Sequence, residues 1–237
     1  MGGSPFMNSL GADYRALVVG SSGAIGSAFV HALQRDPACQ EVLCISRQTH
    51  PGFDLEAEAS IATAAAALAE AGPFHLIVDA TGALTIDTQG PEKSLNALHA
   101  ESLHKSLAVN AVGPALLFKH LLPLLEPKQR AIYAKLSARV GSITDNRKGG
   151  WYSYRAAKAA LNMLLHTAAI EAARKRPHLV VAALQPGTVA SALSQPFVGS
   201  GALSPETSVT GMLKALDELP ACSGAHFVDY QGQAIPW

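Results

Sequence analysis

Cysteine, charge of one sign and long apolar runs are all scarce in this 237-residue sequence. The three cysteines, Cys39, Cys44 and Cys222, cannot all pair, and they show no CxxC or Cys/His spacing. We therefore predict neither a disulfide framework nor a metal site, and a reducing, cytoplasmic setting is the default expectation. No uninterrupted apolar run approaches the roughly 18 residues of a membrane span, and the start lacks a signal-peptide pattern, so no membrane association is expected.

The charges that are present cancel. Eighteen basic and eighteen acidic side chains give a formal net charge of zero, and 49% of the residues are hydrophobic. A nucleic-acid-binding domain usually carries a basic stripe. The nearest approach to one, Arg174-Lys175-Arg176, precedes Pro177 and is typical of the last turn of a helix. We expect a folded domain with an apolar core and no nucleic-acid partner.

The order of apolar segments indicates the fold. Short apolar runs, the predicted strands, lie at 16–19, 41–45, 75–79, 131–136, 179–184 and 225–228. Predicted helices lie between them, at 25–34, 55–71, 100–125, 154–175 and 205–216. This alternation predicts a single Rossmann-type α/β domain, with a doubly wound parallel sheet covered by helices on both faces. We assign residues 13–237 to the domain and residues 1–12 to a flexible leader.

A glycine-rich turn joins the first predicted strand to the first helix. It reads Gly20-Ser21-Ser22-Gly23-Ala24-Ile25-Gly26. Glycine permits a tight turn and a close approach of the backbone to a pyrophosphate, and the helix N-terminus offers free N–H groups. Such a turn can also be purely structural, but its position between a strand and a helix favours dinucleotide binding.

The end of the second predicted strand bears on which dinucleotide is bound. An acidic residue is usual there in NAD-binding proteins, because it holds the ribose hydroxyls. Here the residues are Ile45-Ser46-Arg47. Arg47 could pair with a 2′-phosphate, so NADP(H) is predicted over NAD(H), although an exposed loop arginine would give the same pattern. Asp54 and Leu55 are candidates for contact with the adenine ring, and Asp54 is equally suited to cap the next helix.

One helix carries a tyrosine and a lysine four residues apart, in Tyr154-Arg155-Ala156-Ala157-Lys158. Residues at this spacing lie on the same face of a helix. A phenol titrates near pH 10, and a neighbouring ammonium group favours the phenolate, so we expect Lys158 to lower the pKa of Tyr154. The alternative is an ordinary half-buried tyrosine beside a surface lysine.

Four further motifs accompany this pair over nearly the whole chain. They are the glycine turn, Asp79-Ala80-Thr81-Gly82, Asn110-Ala111-Val112-Gly113-Pro114 and Pro186-Gly187-Thr188-Val189. Together with Tyr154 and Lys158 they resemble the short-chain dehydrogenase/reductase family. The sequence Gly149-Gly150-Trp151-Tyr152-Ser153-Tyr154 resembles one subgroup of it, the C-factor or cell–cell signalling-like reductases.

The resemblance implies a role for each matching residue. Tyr154 would be the general acid–base, Lys158 would lower its pKa and hold the nicotinamide ribose, and Asn110 would support a water molecule linked to Lys158. The remaining implied cofactor contacts are Ala80, Thr81, Gly82, Pro186, Gly187, Val189 and Ser191, with Thr188 an alternative to Ser191. Asp79 replaces an asparagine that is common in the family.

The serine expected to bind the substrate carbonyl departs from the family pattern. The family usually has Ser-Ser at the end of the strand before the catalytic helix, and the second serine binds the substrate. Here the residues are Ser137-Ala138. Ser137 is the preferred candidate and Ser142 its rival, and with neither in place Tyr154 alone would polarise the carbonyl.

Two functions therefore compete. The first is an NADP(H)-dependent oxidoreductase acting on a small or medium, fairly apolar carbonyl compound or its alcohol. The second is a dinucleotide-binding regulatory or signalling protein with little turnover. By resemblance we expect a homodimer or homotetramer. A cover over the substrate is expected from Leu193 and Phe197, with flexible points at Gly199 and Gly201, or else an ordinary packed loop.

Overall fold

The computed structural model describes residues 6–87, 90–190 and 201–237. Within these residues the strands form one parallel sheet in the order β2-β1-β3-β4-β5-β6. Their bounds are β1 Tyr14–Val19, β2 Cys39–Ile45, β3 Leu76–Asp79, β4 Ala131–Leu136, β5 Leu179–Gln185 and β6 Ala225–Asp229. All six lie where the apolar runs predicted strands.

Helices cover both faces of this sheet. Their bounds are α1 Ala24–Arg35, α2 Glu58–Ala66, α3 Ala100–Leu107, α4 Gly113–Leu121, α5 Tyr152–Ala173 and α6 Pro205–Glu218. Helices α1 and α6 pack on one face through Phe29, Leu33 and Met212, among others. Helices α2, α4 and α5 pack on the other face. The predicted doubly wound α/β fold is confirmed.

The strand order places a crevice at one end of the sheet. The chain leaves β1 towards β2 on one side and returns to pair β3 with β1 on the other. Ligands of open α/β sheets bind outside the carboxyl ends of the strands at such a reversal. The loops that follow β1, β3, β4 and β5 meet at this end, and they carry most of the predicted site.

Two predicted segments differ from the structure. The helix expected at 55–71 begins only at Glu58, because the Asp54 carboxylate accepts a hydrogen bond from the Glu56 N–H and holds a turn instead. The leader expected at 1–12 is wrong from Phe6 onwards. The N–H groups of Phe6 and Met7 donate to Asp36 Oδ2 at 2.8 and 3.2 Å, and the Met7 side chain is fully buried.

One continuous helical stretch, Ala100–Leu124, has a length and a mean hydropathy (1.4) that would suit a membrane span. The sequence analysis predicted no segment that could span a membrane, so it did not identify this helix. The stretch joins α3 to α4 through a wider π-helical turn, Ala108–Val112. Leu117, Phe118 and Leu121 of α4 are buried against the sheet. A central helix of an α/β domain has the same composition, because one of its faces is buried in the core.

Candidate active site

The glycine turn packs tightly against the loop that follows β3. Gly20 has φ +80°, and a Cβ there would lie 3.0 Å from the Ala80 carbonyl carbon. A Cβ on Gly26 would lie 2.1 Å from the Gly20 oxygen, so only glycine lets α1 start this close to the turn. Among the described residues, the N–H groups of Ala24, Ile25 and Gly26 have no acceptor. Free N–H groups at a helix start suit an anionic group such as a pyrophosphate.

The carboxyl end of β2 lies beside the glycine turn. The N–H of Gly20 donates to the Ile45 carbonyl at 2.8 Å, which ties the turn to β2. Ser46 is buried, and its hydroxyl accepts from the N–H groups of Gln48 and Thr49, so the short loop is well ordered. Arg47 is exposed on this loop, and no ion pair engages it within the described ranges. It is free to meet an anionic group at the glycine turn.

The two residues proposed for the adenine ring have different surroundings. Asp54 is exposed and forms a turn ahead of α2, but the N-cap residue of α2 is Ala57, so the capping alternative for Asp54 is wrong. Leu55 is half-buried and lies against Gly113 at the start of α4, where a Cβ would come within 2.5 Å of the Leu55 oxygen. The adenine contact stays a prediction for both.

The loop after β3 is held by a buried ion pair that the sequence did not reveal. Lys135 of β4 pairs with Asp79 of β3 at 2.9 Å, and their exposed fractions are 1% and 0%. The Lys135 ammonium also donates to the Thr81 carbonyl at 2.7 Å and to the Thr81 hydroxyl at 3.0 Å. The two residues are direct partners in the β3–β4 register. Lys135 therefore fixes the loop that carries Ala80, Thr81 and Gly82.

Asn110 lies in the π-helical turn between α3 and α4 and is fully buried. Its Oδ1 accepts from the Ala83 N–H at 2.9 Å, and its Nδ2 donates to the Ala83 carbonyl at 2.8 Å. Gly82 lies between Asn110 and Lys158, since a Cβ there would be 3.1 Å from Asn110 Oδ1 and 3.5 Å from Lys158 Nζ. Asn110 thus holds the same loop from the helix side. Its predicted link to a water molecule remains untested.

Helix α5 begins at Tyr152, after three consecutive residues with positive φ: Gly149, Gly150 and Trp151. The Arg155 side chain stabilises this turn by donating to the carbonyls of Gly149 and Gly150 at 3.3 and 2.9 Å. Glu92, which is buried, supplies the missing cap, because its carboxylate accepts from both the N–H and the hydroxyl of Ser153. A carboxylate at a helix N-terminus is favourable. These contacts fix the first turn of α5, which carries Tyr154.

Tyr154 and Lys158 face each other on α5 as predicted. Lys158 Nζ lies 5.6 Å from the centre of the Tyr154 ring and donates to the Leu136 carbonyl at 3.1 Å. The Lys158 side chain is 2% exposed. An ammonium group has three donors, and Leu136 is its only acceptor among the residues that the structure describes. Two donors of Lys158 are therefore available beside Gly82.

The pKa values of this pair run against the sequence prediction. Burial raises the pKa of Tyr154 to about 12, and Lys158 does not offset it. Burial and, to a smaller extent, the nearby Lys135 charge lower the pKa of Lys158 to about 7, while Asp79 acts in the opposite direction. The expected lowering of the Tyr154 pKa by Lys158 is therefore wrong for this structure, because the loss of solvent outweighs the lysine charge.

The two candidate serines are placed differently. Ser137 is 4% exposed, lines the same cleft as Tyr154, and donates to Asn162 Oδ1 at 2.6 Å. Ser142 is 1% exposed, and its hydroxyl accepts from the Asp145 N–H inside the loop after β4. The geometry favours Ser137. Asn162 was not foreseen, and its Nδ2 is buried without a partner among the described residues.

The segment after β5 closes the cleft on its other side. Pro186, Gly187, Thr188 and Val189 all line it. Gly187 has φ +79°, and a Cβ there would lie 2.8 Å from the Leu203 side chain, so glycine is required at this bend. Ser191 and the proposed cover residues Leu193, Phe197 and Gly199 lie outside the described residues.

The resulting cleft has a volume of about 830 Å³. Its apolar lining includes Ile25 of the glycine turn, Leu84, Val140 and Trp151, and the Trp151 ring meets Tyr154 edge-on with 6.3 Å between ring centres. The loop between β4 and α5 adds charged side chains that the sequence reasoning did not single out. Ile25 of the glycine turn and the Tyr154 phenol thus line one cleft, and the Lys158 ammonium lies 5.6 Å from the centre of the Tyr154 ring.

Comparison with known proteins agrees with this arrangement. The sequence model of the short chain dehydrogenase family matches residues 14–199. The chain belongs to the short-chain dehydrogenase family. This family placement makes it a member of an oxidoreductase family and confirms the resemblance carried by the motifs.

Two relatives illustrate the breadth of this short-chain dehydrogenase family. One is the C-signal protein of Myxococcus xanthus, 30% identical over 167 residues, which are 70% of this chain and 94% of that protein. The other is 1-hydroxy-2-glutathionyl-2-methyl-3-butene dehydrogenase of Rhodococcus sp. (strain AD45), 29% identical over 189 residues, or 79% of each chain. The first agrees with the predicted likeness to the C-factor subgroup.

Solved structures share the fold of this short-chain dehydrogenase. An NADPH-bound carbonyl reductase from chicken fatty liver has a TM-score of 0.81 and 23% identity, with all of both chains covered. A short-chain dehydrogenase/reductase from Burkholderia multivorans with bound NADP has a TM-score of 0.79 and 24% identity, covering 95% of this chain and 100% of its own.

Proposed function

We propose that this protein is an NADP(H)-dependent oxidoreductase that interconverts a small or medium carbonyl compound and its alcohol by hydride transfer. The observation that carries the proposal is the joint placement of Tyr154 and Lys158. The phenol borders the cleft that the glycine turn also lines through Ile25. The Lys158 ammonium has donors available beside Gly82, where a ribose hydroxyl would find them.

When bound, the nicotinamide cofactor supplies or accepts the hydride. In reduction, the Tyr154 hydroxyl donates its proton to the carbonyl oxygen while the hydride reaches the carbon. A pKa raised to about 12 keeps this phenol protonated near neutrality, which suits an acid. Oxidation of the alcohol requires the phenolate, so that direction should be favoured only as the pH rises towards 12.

Ser137 is the proposed second donor to the carbonyl oxygen. With the hydroxyl donating to Asn162 Oδ1, its proton is not available to a substrate. A half-turn of the Asn162 amide exchanges its oxygen and nitrogen. In that form Nδ2, now without a partner, donates to Ser137 Oγ and leaves the serine proton free. A Ser137→Ala variant should then lose about 10²-fold or more in kcat, measured with NADPH.

The preference for NADP(H) rests on Arg47. It is exposed on the loop after β2, and the residues at 46–50 contain no carboxylate to repel a 2′-phosphate. Bound NADPH and NADP in the two related structures agree with this preference. Arg47→Gln should raise KM for NADPH about tenfold and leave KM for NADH unchanged, whereas Arg174→Gln, at the far end of α5, should change neither. Equal efficiency with both cofactors in the unaltered protein would contradict the assignment.

We further infer a cytoplasmic homodimer or homotetramer. All three cysteines are free thiols. Large apolar side chains are exposed on the π-helical turn and on α5, namely Val112, Met163, Leu164 and Ile170, with 67% of Met163 exposed. Contact between the same helices of two copies would cover them. Light scattering should give a mass above that of one chain, and Met163→Glu should lower it.

A regulatory protein with little turnover is the competing function. The C-signal relative and the alanine at position 138 of the cleft favour it. Both functions predict binding of a dinucleotide, so binding alone does not separate them.

The deciding experiment measures NADPH binding by fluorescence and then turnover on a panel of carbonyl compounds. Tyr154→Phe should bind NADPH with unchanged Kd and lose about 10²–10⁴-fold in kcat. Tyr152→Phe is the matched control, since Tyr152 lies on the same turn of α5 and is also half-buried. Turnover that survives in the Tyr154→Phe variant would exclude the proposed mechanism, and NADPH binding without any turnover would favour the regulatory function.

A further inference from the structure

The charged side chains that line the cleft are almost all of one sign. Four are cationic, namely Arg139, Arg147, Lys148 and Arg155, and one is anionic, Asp145. The chain as a whole has no net charge, so this lining is a local excess and not a property of the composition. All five belong to the β4–α5 loop or the first turn of α5, which also carries Tyr154.

Two of these cations have partners among the residues that the structure describes. Arg139 lies 3.3 Å from Asp229 and 3.6 Å from Asp145. The Arg155 guanidinium donates to three backbone carbonyls, those of Gly149, Gly150 and, at 3.3 Å, Val140. Arg147 and Lys148 are exposed, and they have no ion pair or side-chain hydrogen bond within the described ranges.

The loop that presents Arg147 and Lys148 is firmly held. Arg155 binds the carbonyls of Gly149 and Gly150, and the Asn146 side chain accepts from the Gly149 N–H at 3.1 Å. Trp151 keeps a left-handed conformation, φ +54°, which a bulky residue adopts only when its surroundings impose it. A fixed loop with two unpaired cations is suited to binding an anion because little conformational entropy is lost.

We propose that the substrate of this site carries a carboxylate or a similar anionic group, which Arg147 and Lys148 bind at the mouth of the cleft. The proposal rests on the proposed function, because Tyr154 sets where the carbonyl lies. The lining also includes apolar side chains, among them Val140, Leu84 and Trp151. The preferred substrate is therefore a carbonyl compound with an apolar body and an acid group at its far end. This refines the expectation of a fairly apolar substrate.

Matched pairs of compounds test this directly. Methyl ketones with a terminal carboxylate at increasing chain length would be compared with their methyl esters, which keep the carbon skeleton and remove the charge. With NADPH, kcat/KM should be about tenfold or more higher for the acid at the best chain length, and the difference should shrink at high salt. In the Arg147→Gln/Lys148→Gln variant, kcat/KM for the acid should fall to that for the ester, because KM for the acid rises.

The control is Arg174→Gln/Lys175→Gln, which removes two exposed positive charges from the end of α5 and should retain the preference for the acid. An acid preference that persists in the Arg147→Gln/Lys148→Gln variant would overturn the proposal, as would equal kcat/KM for acid and ester.

Binding separates this proposal from the proposed function. Calorimetry of the same keto acids with NADP⁺-saturated protein needs no turnover. Acid binding that the Arg147→Gln/Lys148→Gln variant loses, with no reduction by the unaltered protein, would support the anion site and contradict the oxidoreductase. Reduction of esters without any measurable acid binding would support the oxidoreductase and overturn the anion site.

Discussion

Two buried lysines at the carboxyl ends of the strands differ in what surrounds them. Lys135 has three acceptors within 3.0 Å, namely Asp79 Oδ1 and both oxygens of Thr81. Lys158, equally buried, has the Leu136 carbonyl at 3.1 Å and the face of the Tyr154 ring. All three donors of the Lys135 ammonium therefore have acceptors, whereas two donors of Lys158 have none among the described residues and are available to a ligand.

This difference gives Lys135 a structural role and supports the binding role proposed for Lys158. A buried charge is tolerated only when it is paired and hydrogen-bonded, and Lys135 meets that condition. Lys158 does not. Burial lowers the pKa of both ammonium groups, but only Lys135 has a hydrogen bond to Asp79 that opposes it, and the pKa of Lys158 falls to about 7. An incompletely satisfied buried donor next to a cleft is a feature typical of binding sites.

The largest expected effect is on stability and concerns Lys135. Lys135→Met leaves the Asp79 carboxylate buried without its partner, which should lower the free energy of unfolding by about 3–5 kcal/mol, as measured by urea denaturation. The double variant Asp79→Asn/Lys135→Met leaves no charge and should recover most of the loss. A double variant as unstable as the single one would show that the ion pair is not what Lys135 contributes.

The next effect is on turnover and concerns Lys158. Lys158→Met should lower kcat/KM with NADPH about 10²-fold, because the nicotinamide ribose loses its donor and its position. The same variant should not unfold at a lower urea concentration than the unaltered protein, because the substitution removes a buried group with few partners. A large loss of stability with unchanged turnover would reverse the roles assigned to the two lysines.

The smallest effect is a difference in pH dependence. Lys158 has a lowered pKa in the folded protein, so between about pH 7 and its ordinary value of 10.5 the unfolded chain binds the additional proton. The contribution of Lys158 to the free energy of unfolding therefore rises with pH across that window, and the cost of burying its charged form is greatest below pH 7. The Tm of the Lys158→Met variant minus the Tm of the unaltered protein should be larger at pH 6 than at pH 9. An equal difference at both pH values would contradict the lowered pKa.

The pattern of apolar runs was sufficient to predict the strands and the fold, because burial on both faces leaves a strong mark on each strand. The glycine turn, Tyr154 and Lys158 were also predictable from local spacing. Lys135 was not, because its partner Asp79 lies 56 residues earlier and becomes a neighbour only through the pairing of β3 with β4. A charge inside each of two buried strands was the available signal.

Contacts made by loops were the least predictable. Glu92 caps α5 from 61 residues away, and no short-range capping pattern marks it. Arg147 and Lys148 look like ordinary loop residues until the fold places them in the lining of the same cleft as Tyr154. The surroundings of Tyr154 and Lys158 also reversed the predicted direction of the Tyr154 pKa, because spacing on a helix does not report loss of solvent.

The wide turn at Ala108–Val112 also sets the rotational phase between α3 and α4. Each residue advances an α-helix by about 100°. A π-helical turn holds about one residue more than an α-helical turn, so deletion of one residue here would restore regular winding and leave Leu117, Phe118 and Leu121 facing the sheet. The same deletion would draw Asn110 off the Ala83 backbone. The wide turn therefore accommodates the additional residue that lets Asn110 reach the Ala83 backbone, while α4 keeps the face that it presents to the core.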